Sequence, residues 1–281
     1  MLPAVAVISE LYHYPVKSCA GVRVREGFLG PAGLEHDRRF LVTDPDGTYR
    51  SQRRDPLLAT IQPAVHGDRL TLSAPAADTI EVPVDVWPPR RPVTLFGEPF
   101  TGVDQGDEVA AWLSEVLGTP SRLVCAPPEH RRVTGGRTPG TSSYADSCPV
   151  HVLSTATLRE LNDRITARGA RPVPMSRFRP NIVVDGWPAH EEDHALRITV
   201  GGVELGYAKP AIRCAVTMVD QQTGGRSGPE PLRTLASYRR AGGGVAFGAK
   251  HAVLRPGRLV AGAVVVVERS DVNLAGVVPV P

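Results

Sequence analysis

The 281-residue sequence lacks the features that define several common classes of protein. Its longest apolar run, "LVAGAVVVV", is about half of the roughly 18 residues that a membrane-spanning helix needs. The N-terminal stretch "MLPAVAVISELYHY" has no basic segment followed by a long apolar core, so it does not resemble a signal peptide. A net charge of +3 is not the basic excess of a nucleic-acid-binding protein. We therefore expect a cytoplasmic protein that binds neither nucleic acid nor membranes.

Nucleotide-binding fingerprints and paired cysteines are also missing. Neither G-x-x-x-x-G-K-[ST] nor G-x-G-x-x-G occurs, which leaves nucleotide-binding folds unsupported. The four cysteines (Cys19, Cys125, Cys148 and Cys214) form no short pair, which argues against structural zinc and against a cysteine-ligated iron–sulfur cluster. A disulfide scaffold is not expected in a cytosolic chain of this length. We expect most of these thiols to be small buried hydrophobic groups.

Lysine is scarce, since only Lys17, Lys209 and Lys250 occur among the 32 basic residues. A general drift of composition toward arginine explains the number. The scarcity nevertheless makes each remaining lysine a candidate for a specific role.

The pattern of apolar residues indicates a β-rich protein. Short runs of alternating apolar and polar residues fill the first third, separated by turn sequences such as "DPDG" and "HGD", which is typical of antiparallel barrels and sandwiches. Helical spacing predicts helices over 106–117 and 154–167, the second with Ser154 or Thr155 as its N-cap. We predict a β-rich α+β fold in which a barrel-like N-terminal domain precedes a second β-barrel domain with a few helices.

A change of composition divides the chain. Residues 127–147 are rich in Gly, Pro, Ser, Thr and Arg, which is typical of an exposed connection. We predict an N-terminal domain over 1–126, a linker or mobile loop over 127–147, and a second domain over 148–281.

The segment "AIRCAVTMVD", residues 211–220, reads as a strand in which Arg213 adjoins Cys214. An arginine beside a cysteine stabilises the thiolate, which would suit a nucleophile. A cysteine hydrolase also needs a histidine partner, and none of the eight histidines lies in a recognisable partner motif. A packed strand cysteine is the more ordinary interpretation of Cys214, and the segment alone leaves both interpretations open.

Three other segments carry groups that suit a phosphate. Lys17 and Ser18 follow the first strand in "HYPVKSCAG", where an ammonium, a hydroxyl and turn amides come together. Arg38 in "EHDRRF" opens a strand, and Arg179 and Asn181 in "FRPNIVV" open another. Each segment is weak evidence by itself, because a charge at a strand end is usually just solvated.

Taken in order, these segments resemble a known family. The ordered set "YPVKSCAG", "GLEHDRRFLVTDPDG", "LSTATLRELN", "RFRPNIVVDG", "KPAIRCAVTMVDQQTG", "EPLRTLASYRR" and "FGAKHAVLRPGRLVAG" is similar to the MOSC family preceded by its N-terminal β-barrel domain. The architecture resembles that of the mitochondrial amidoxime-reducing component and its bacterial relatives. The resemblance spans nearly the whole chain.

The resemblance implies a molybdenum cofactor, in which a pterin dithiolene holds the metal and Cys214 supplies a further sulfur ligand. Lys17 and Ser18 fall on the positions that bind the phosphate region of the cofactor. The resemblance places further cofactor contacts at Arg38, Ser154, Thr155, Arg179, Asn181, Arg213 and Lys250. It also carries a family-level association with pyridoxal phosphate binding. We expect the site to lie between the two halves, because its residues come from both.

The activity implied by the resemblance is reduction of small N-oxygenated compounds such as amidoximes. Because the sequence has no cysteine cluster for an iron–sulfur relay, we expect a separate electron-transfer protein of the ferredoxin, flavodoxin or cytochrome type, with its reductase, as partner. Two alternatives stay open: a non-catalytic carrier or store of the cofactor, and a sulfur carrier for metal-cluster assembly.

Overall fold

Strands dominate the computed structural model, which describes residues 5–75, 77–84, 86–87, 89–226 and 228–277. The predicted β-rich class is confirmed. The helices are α1 (Asp107–Leu117), α2 (Thr155–Ala167) and α3 (Leu232–Leu235). The strands are β1 (Val7–His13), β2 (Val22–Val24), β3 (Glu26–Gly30), β4 (Gly33–Leu34), β5 (Phe40–Thr43), β6 (Gln62–His66), β7 (Arg69–Ala74), β8 (Ala77–Pro83), β9 (Arg90–Leu95), β10 (Glu98–Asp104), β11 (Arg122–Cys125), β12 (Val133–Thr134), β13 (Gly140–Thr141), β14 (Val150–Ser154), β15 (Ile182–Asp185), β16 (Ala195–Val200), β17 (Val203–Arg213), β18 (Arg240–Ala241), β19 (Gly244–Arg255), β20 (Gly257–Val260) and β21 (Val266–Arg269).

The largest sheet joins strands from both ends of the chain. Its order is β2-β1-β15-β14-β19-β17-β16-β21, with β18 paired to β19. The β14–β15 pair is parallel and encloses α2 in its connection, whereas β1 pairs with β15 antiparallel. Alternate residues of these strands, such as Ile8, Val152 and Leu205, point into one fully buried core.

Residues 263–265 link β1, next to one end of this sheet, with β21 at the other end. The Ile8 amide donates to the Ala263 carbonyl at 2.9 Å and the Val265 amide donates to Ala6 at 2.8 Å, while β21 directly afterwards pairs with β16. The strand ladders of the described residues form open sheets. This segment nevertheless curves the large sheet around its core in the manner of a barrel.

A second core lies under the sheets β5-β11-β10-β9 and β6-β7-β8, which belong to the first half of the chain. The predicted helix over 106–117 is confirmed as α1, which packs Val109, Trp112 and Leu113 onto this core. The helix ends at Gly118, whose φ of 65° is the left-handed conformation that favours glycine at a C-cap.

The sequence prediction for residues 211–220 is wrong in part. Strand β17 ends at Arg213, and Ala215–Met218 form a 3-10 helix with Cys214 at its N-cap. The amide and the hydroxyl of Thr217 both donate to the Cys214 carbonyl, at 3.0 and 2.9 Å, and these local bonds favour a turn over a ladder. Cys214 therefore lies at the end of a strand, where its thiol is partly exposed.

Residues 127–147 contain the short hairpin of β12 and β13, and Tyr144 near their end is fully buried. The proposed division of the chain at this segment stays a prediction. None of the helices within the described ranges is long and apolar enough to cross a membrane.

Candidate functional site

A cavity of about 280 Å³ opens where segments of both halves of the chain meet. Its lining comes from the ends of strands and from the turns that follow them, which is where function-bearing side chains are commonly presented. The structure brings eight of the ten predicted site residues to this cavity: Lys17, Ser18, Arg38, Arg179, Asn181, Arg213, Cys214 and Lys250.

The cavity wall is strongly basic. Among the described residues, seven basic side chains line it against one carboxylate, that of Asp146; the basic residues are Lys17, Arg38, Arg53, Arg179, Lys209, Arg213 and Lys250. All three lysines of the chain are among them. Lys209 of β17 and Lys250 of β19 are direct cross-strand partners, a like-charge arrangement that is unfavourable in an ordinary sheet. Within the described residues, the lining thus carries more positive than negative charge.

Burial and mutual repulsion perturb these cations. Burial, together with the neighbouring Arg213 and Arg38, lowers the pKa of Lys250 to about 7. Burial also lowers the pKa of Lys17, although the charge of Asp146 opposes that shift. Among the described residues, the Lys250 ammonium has no hydrogen-bond or ion-pair partner. A bound anion would relieve this electrostatic cost, because an opposite charge favours the protonated form.

Two arginines of the site pack against one tyrosine ring. The guanidinium carbons of Arg38 and Arg179 lie 4.1 and 4.3 Å from the centroid of the buried Tyr14 ring. Arg38 is also ion-paired with Asp37 at 2.5 Å and donates to the Asn181 side chain at 3.1 Å. These contacts hold the guanidinium planes in fixed orientations, as recognition of phosphate requires.

Three residues of the cavity have backbone conformations that are unusual for non-glycine residues. Ser18, Arg38 and Arg179 have φ values of 70°, 48° and 55°. Left-handed conformations at such residues cost about 1–3 kcal/mol each and are concentrated at functional sites. The strain here aims one hydroxyl and two guanidinium groups at the same space.

Arg213 and Cys214 form another part of the wall. Arg213 donates from Nη2 to the Phe178 carbonyl at 2.9 Å, but its buried Nε has no partner within the described part of the chain. Cys214 is partly exposed, whereas Cys19, Cys125 and Cys148 are buried. Burial raises the pKa of the Cys19 thiol to about 12, which makes it a poor nucleophile and a poor ligand. Cys148 also lines the cavity but is buried, so Cys214, which adjoins Arg213, is the more accessible of these two thiols.

Ser154 and Thr155 do not line this cavity, contrary to the assignment from the resemblance. The Ser154 hydroxyl accepts from the Thr157 amide at 3.1 Å and caps α2, while the Thr155 hydroxyl donates to Asp185. In the β14–β19 ladder His151 is the partner of Lys250, so Ser154 lies three residues, or roughly 10 Å, further along β14. The distance along the strand separates these two hydroxyls from the basic wall.

Sequence reasoning missed several residues of the site. Asp146 accepts a short hydrogen bond from the Lys17 ammonium, although the segment 127–147 had been predicted only as a connection. Tyr14 contacts the guanidinium groups of Arg38 and Arg179, which come from distant parts of the sequence, and Asp37 pairs with the adjacent Arg38. Only Lys209 carried a signal, which was the scarcity of lysine.

The geometry defines the class of site as a pocket for a multiply charged anion, with a thiol at its edge. An anionic group with a terminal phosphate matches the basic wall, and a sulfur-ligated metal matches the thiol as a soft ligand. The buried Arg213 Nε, which has no hydrogen-bond partner among the described residues, is a donor that such a group would satisfy. The side chains present therefore fit an anionic metal cofactor.

Comparison with known proteins agrees with this class. Residues 5–120 match the MOSC N-terminal beta barrel domain and residues 139–266 match the MOSC domain. The chain is 36% identical over 253 residues to mitochondrial amidoxime reducing component 2 of Rattus norvegicus, covering 85% of this chain and 74% of that protein. It is 34% identical over 258 residues to mitochondrial amidoxime-reducing component 1 of Homo sapiens, with the same coverage.

A further relative is the molybdenum cofactor sulfurase of Danio rerio, which is 33% identical over 262 residues, covering 86% of this chain and 31% of that protein. The chain therefore belongs to the MOSC family, in the branch that carries the N-terminal β-barrel domain. The resemblance predicted from the sequence is confirmed. The amidoxime-reducing relatives are named as mitochondrial, and the cytoplasmic location expected for this chain stays a prediction.

Proposed function

We propose that this chain binds a molybdenum cofactor and reduces small N-oxygenated compounds, with electrons from a separate electron-transfer protein. The observation that carries the proposal is the convergence of Cys214 with a basic wall drawn from both halves of the chain in one cavity. The names of the relatives, which are amidoxime-reducing components and a molybdenum cofactor sulfurase, support the choice of cofactor.

The chain's own residues would hold the cofactor by charge and orientation. Lys17 and Ser18 would bind its phosphate region, while Arg38, Arg179 and Asn181 would orient its anionic edge. Cys214 would be the metal ligand contributed by the protein, and the adjacent Arg213 would place a positive charge beside it. When bound, the cofactor supplies the redox chemistry, and the protein supplies position and electrostatics.

An activity assay distinguishes a reductase from a carrier of the same cofactor. The chain purified from a cofactor-competent host should reduce benzamidoxime with a low-potential dye as reductant, and NADH alone should not support the reaction. Cofactor binding without dye-driven turnover would favour the carrier or storage alternative. Robust oxidation of NADH by the isolated chain would contradict the need for a separate donor.

Replacement of Cys214 and replacement of Lys17 should have different effects on cofactor content and on activity per molybdenum. Cys214→Ala removes one ligand but leaves the cations in place, so part of the cofactor should stay bound while activity per molybdenum is lost. Lys17→Ala removes a charge-assisted contact and should lower cofactor affinity about ten- to a hundred-fold, so that occupancy falls while the remaining bound molecules stay active. Full activity per molybdenum in Cys214→Ala would show that Cys214 is only a packed cysteine.

A sulfur-transfer function is the second candidate, favoured by the match to the molybdenum cofactor sulfurase and by the accessible Cys214. The chain spans about a third of that relative. Detection of a persulfide on Cys214 that passes its sulfur to an acceptor, together with an absence of bound molybdenum, would favour this candidate over the reductase.

A further inference from the structure

The ion pair between Lys17 and Asp146 is strongly asymmetric. The Lys17 side chain is 5% exposed, whereas the Asp146 side chain is 66% exposed within the open cavity. The protein walls around the cavity desolvate the Asp146 carboxyl and so favour a raised pKa, but the charges of Lys17, Lys250 and Arg38 outweigh this effect and hold its pKa below its ordinary range. The cavity therefore contains a fixed cation and a carboxylate that stays ionised beside it.

Asp146 is anchored through its backbone. The guanidinium of Arg132 donates to the carbonyls of Ala145 and Asp146, the latter at 3.2 Å, and to the Ser142 hydroxyl at 3.2 Å. The Asp146 carboxylate takes no part in these bonds, and within the described part of the chain its hydrogen-bond partner is Lys17. The carboxylate can thus leave Lys17 by side-chain rotation while its loop stays in place.

The neighbouring pair of Asp37 and Arg38 shows the opposite arrangement. Asp37 is 1% exposed, and its Oδ1 accepts from the Tyr14 amide at 2.8 Å and from Asn181 at 3.1 Å. Moving Asp37 would break several buried bonds, whereas moving Asp146 breaks one contact in a solvent-filled cavity. Of the two acids in contact with the basic wall, Asp146 is the displaceable one.

We propose that Asp146 is an internal anion that occupies Lys17 and is displaced when an anionic group binds there, so that Asp146 sets the affinity and reversibility of binding. Lys17 faces the cavity with only a small exposed surface, and a second anion beside the carboxylate would be repelled. The inference extends the proposed function, because the phosphate of the cofactor would be the natural competitor. It needs only that a tetrahedral anion binds to the basic wall.

Titration with inorganic sulfate at pH 6.5 tests the inference, because sulfate is a dianion at this pH and the measurement requires neither molybdenum nor turnover. Removal of the competing carboxylate in Asp146→Asn should tighten sulfate binding about tenfold, the effect of one charge-assisted contact. In a Lys17→Ala background the same substitution should increase sulfate affinity by about threefold or less, because the cation for which Asp146 and sulfate compete is gone.

Glu81→Gln is the matched control, because it removes one negative charge from an exposed pair with Arg69 outside the cavity. It should leave sulfate affinity unchanged, and thermal unfolding of each variant should verify that it is folded. Asp146→Ala provides a second variant with the same expected gain. Unchanged or weaker sulfate binding by both Asp146 variants, or no measurable binding by any variant, would overturn the inference. A tenfold gain in a protein that never acquires molybdenum would uphold it while contradicting the proposed function.

Discussion

Two buried clusters of charge in this protein differ in how completely the chain neutralises them. Glu191, Glu192 and Asp193 are consecutive and at most 3% exposed, yet each has partners from the protein. Glu191 is paired with Arg269 at 2.8 Å and Asp193 with Arg239 at 2.7 Å, while Glu192 accepts from the Ser154 amide and the Thr157 hydroxyl. The basic wall of the cavity, in contrast, has seven cations and one lining carboxylate.

The difference separates a structural cluster from a binding site. Buried charges are tolerated when they are paired and hydrogen-bonded, and an excess of one sign is retained where a ligand supplies the other. The acidic cluster anchors the start of α2, which explains why Ser154 belongs to the structure of the helix. The basic wall, by contrast, carries an excess of positive charge among the described residues, as a binding site for an anion would. The following predictions test this comparison.

The largest expected effect is on stability at the acidic cluster. Arg239→Ala would leave Asp193 buried without its partner and should lower the free energy of unfolding by about 3–5 kcal/mol. Arg213→Ala, in the basic wall, should not lower it comparably, because it removes a like-charge repulsion. Urea unfolding of both variants gives the two values. Equal losses would remove the distinction between the clusters.

The two clusters should also give pH dependences of opposite sign. Burial raises the pKa of Glu192 to about 7, so its neutral form is favoured in the folded state. Its contribution is fully present below about pH 4.5 and is lost as the pH rises to about 7, on the order of 3 kcal/mol. Glu192→Gln should flatten this fall in the free energy of unfolding.

Lys250 should act in the opposite direction, because its pKa is lowered to about 7 in the folded protein. The unfolded chain then binds more protons between pH 7 and 10.5, so the free energy of unfolding should rise with pH across that window. Lys250→Met should remove this rise. If the free energy of unfolding had the same slope against pH in the wild-type protein and in the variant, the charge of Lys250 would not be destabilising in the cavity.

Binding of an anion should depend on the basic wall alone. Arg179→Ala removes a cation that has no carboxylate partner in the described residues, and it should weaken sulfate binding about ten- to a hundred-fold by calorimetric titration. Arg164→Ala, on the exposed face of α2, is the control and should bind sulfate normally. Loss of affinity in both variants would indicate a diffuse charge effect.

The smallest effect is expected at the start of α2. Ser154→Ala removes an N-cap hydrogen bond and should cost about 1 kcal/mol of stability. Because the hydroxyl lies outside the cavity, sulfate affinity and cofactor content should not change. A loss of cofactor without a loss of stability would restore Ser154 to the binding site.

The sequence predicted site residues that lie in short motifs better than contacts between segments that are distant in sequence. Lys17, Arg179 and Cys214 lie in short runs that resemble the family, and the fold brings them to one cavity. Asp146 could not be predicted in this way, because its role depends on the approach of a loop 129 residues away from Lys17. The role of Ser154 stays a prediction, because a hydroxyl before a helix suits a cap and a ligand equally well, and in this structure it caps α2 outside the cavity.

Secondary structure was likewise predicted where the pattern of apolar residues determines it. The helical spacing at 106–117 predicted α1 because its apolar residues form a continuous face and Gly118 ends it. The end of β17 at Arg213 escaped prediction, because the bonds from Thr217 to the Cys214 carbonyl outweigh the strand-like composition of the segment.

Molybdenum and pterin content per chain is the most direct test that the basic wall and Cys214 form a cofactor site. The protein is purified from a host that makes the cofactor, and each content is measured beside that of the Arg179→Ala and Arg164→Ala variants. The account predicts near-equal amounts of molybdenum, pterin and wild-type chain, unchanged content in Arg164→Ala, and a marked loss of both in Arg179→Ala. A wild-type chain without molybdenum and pterin, or an Arg179→Ala variant that retains both in full, would contradict it.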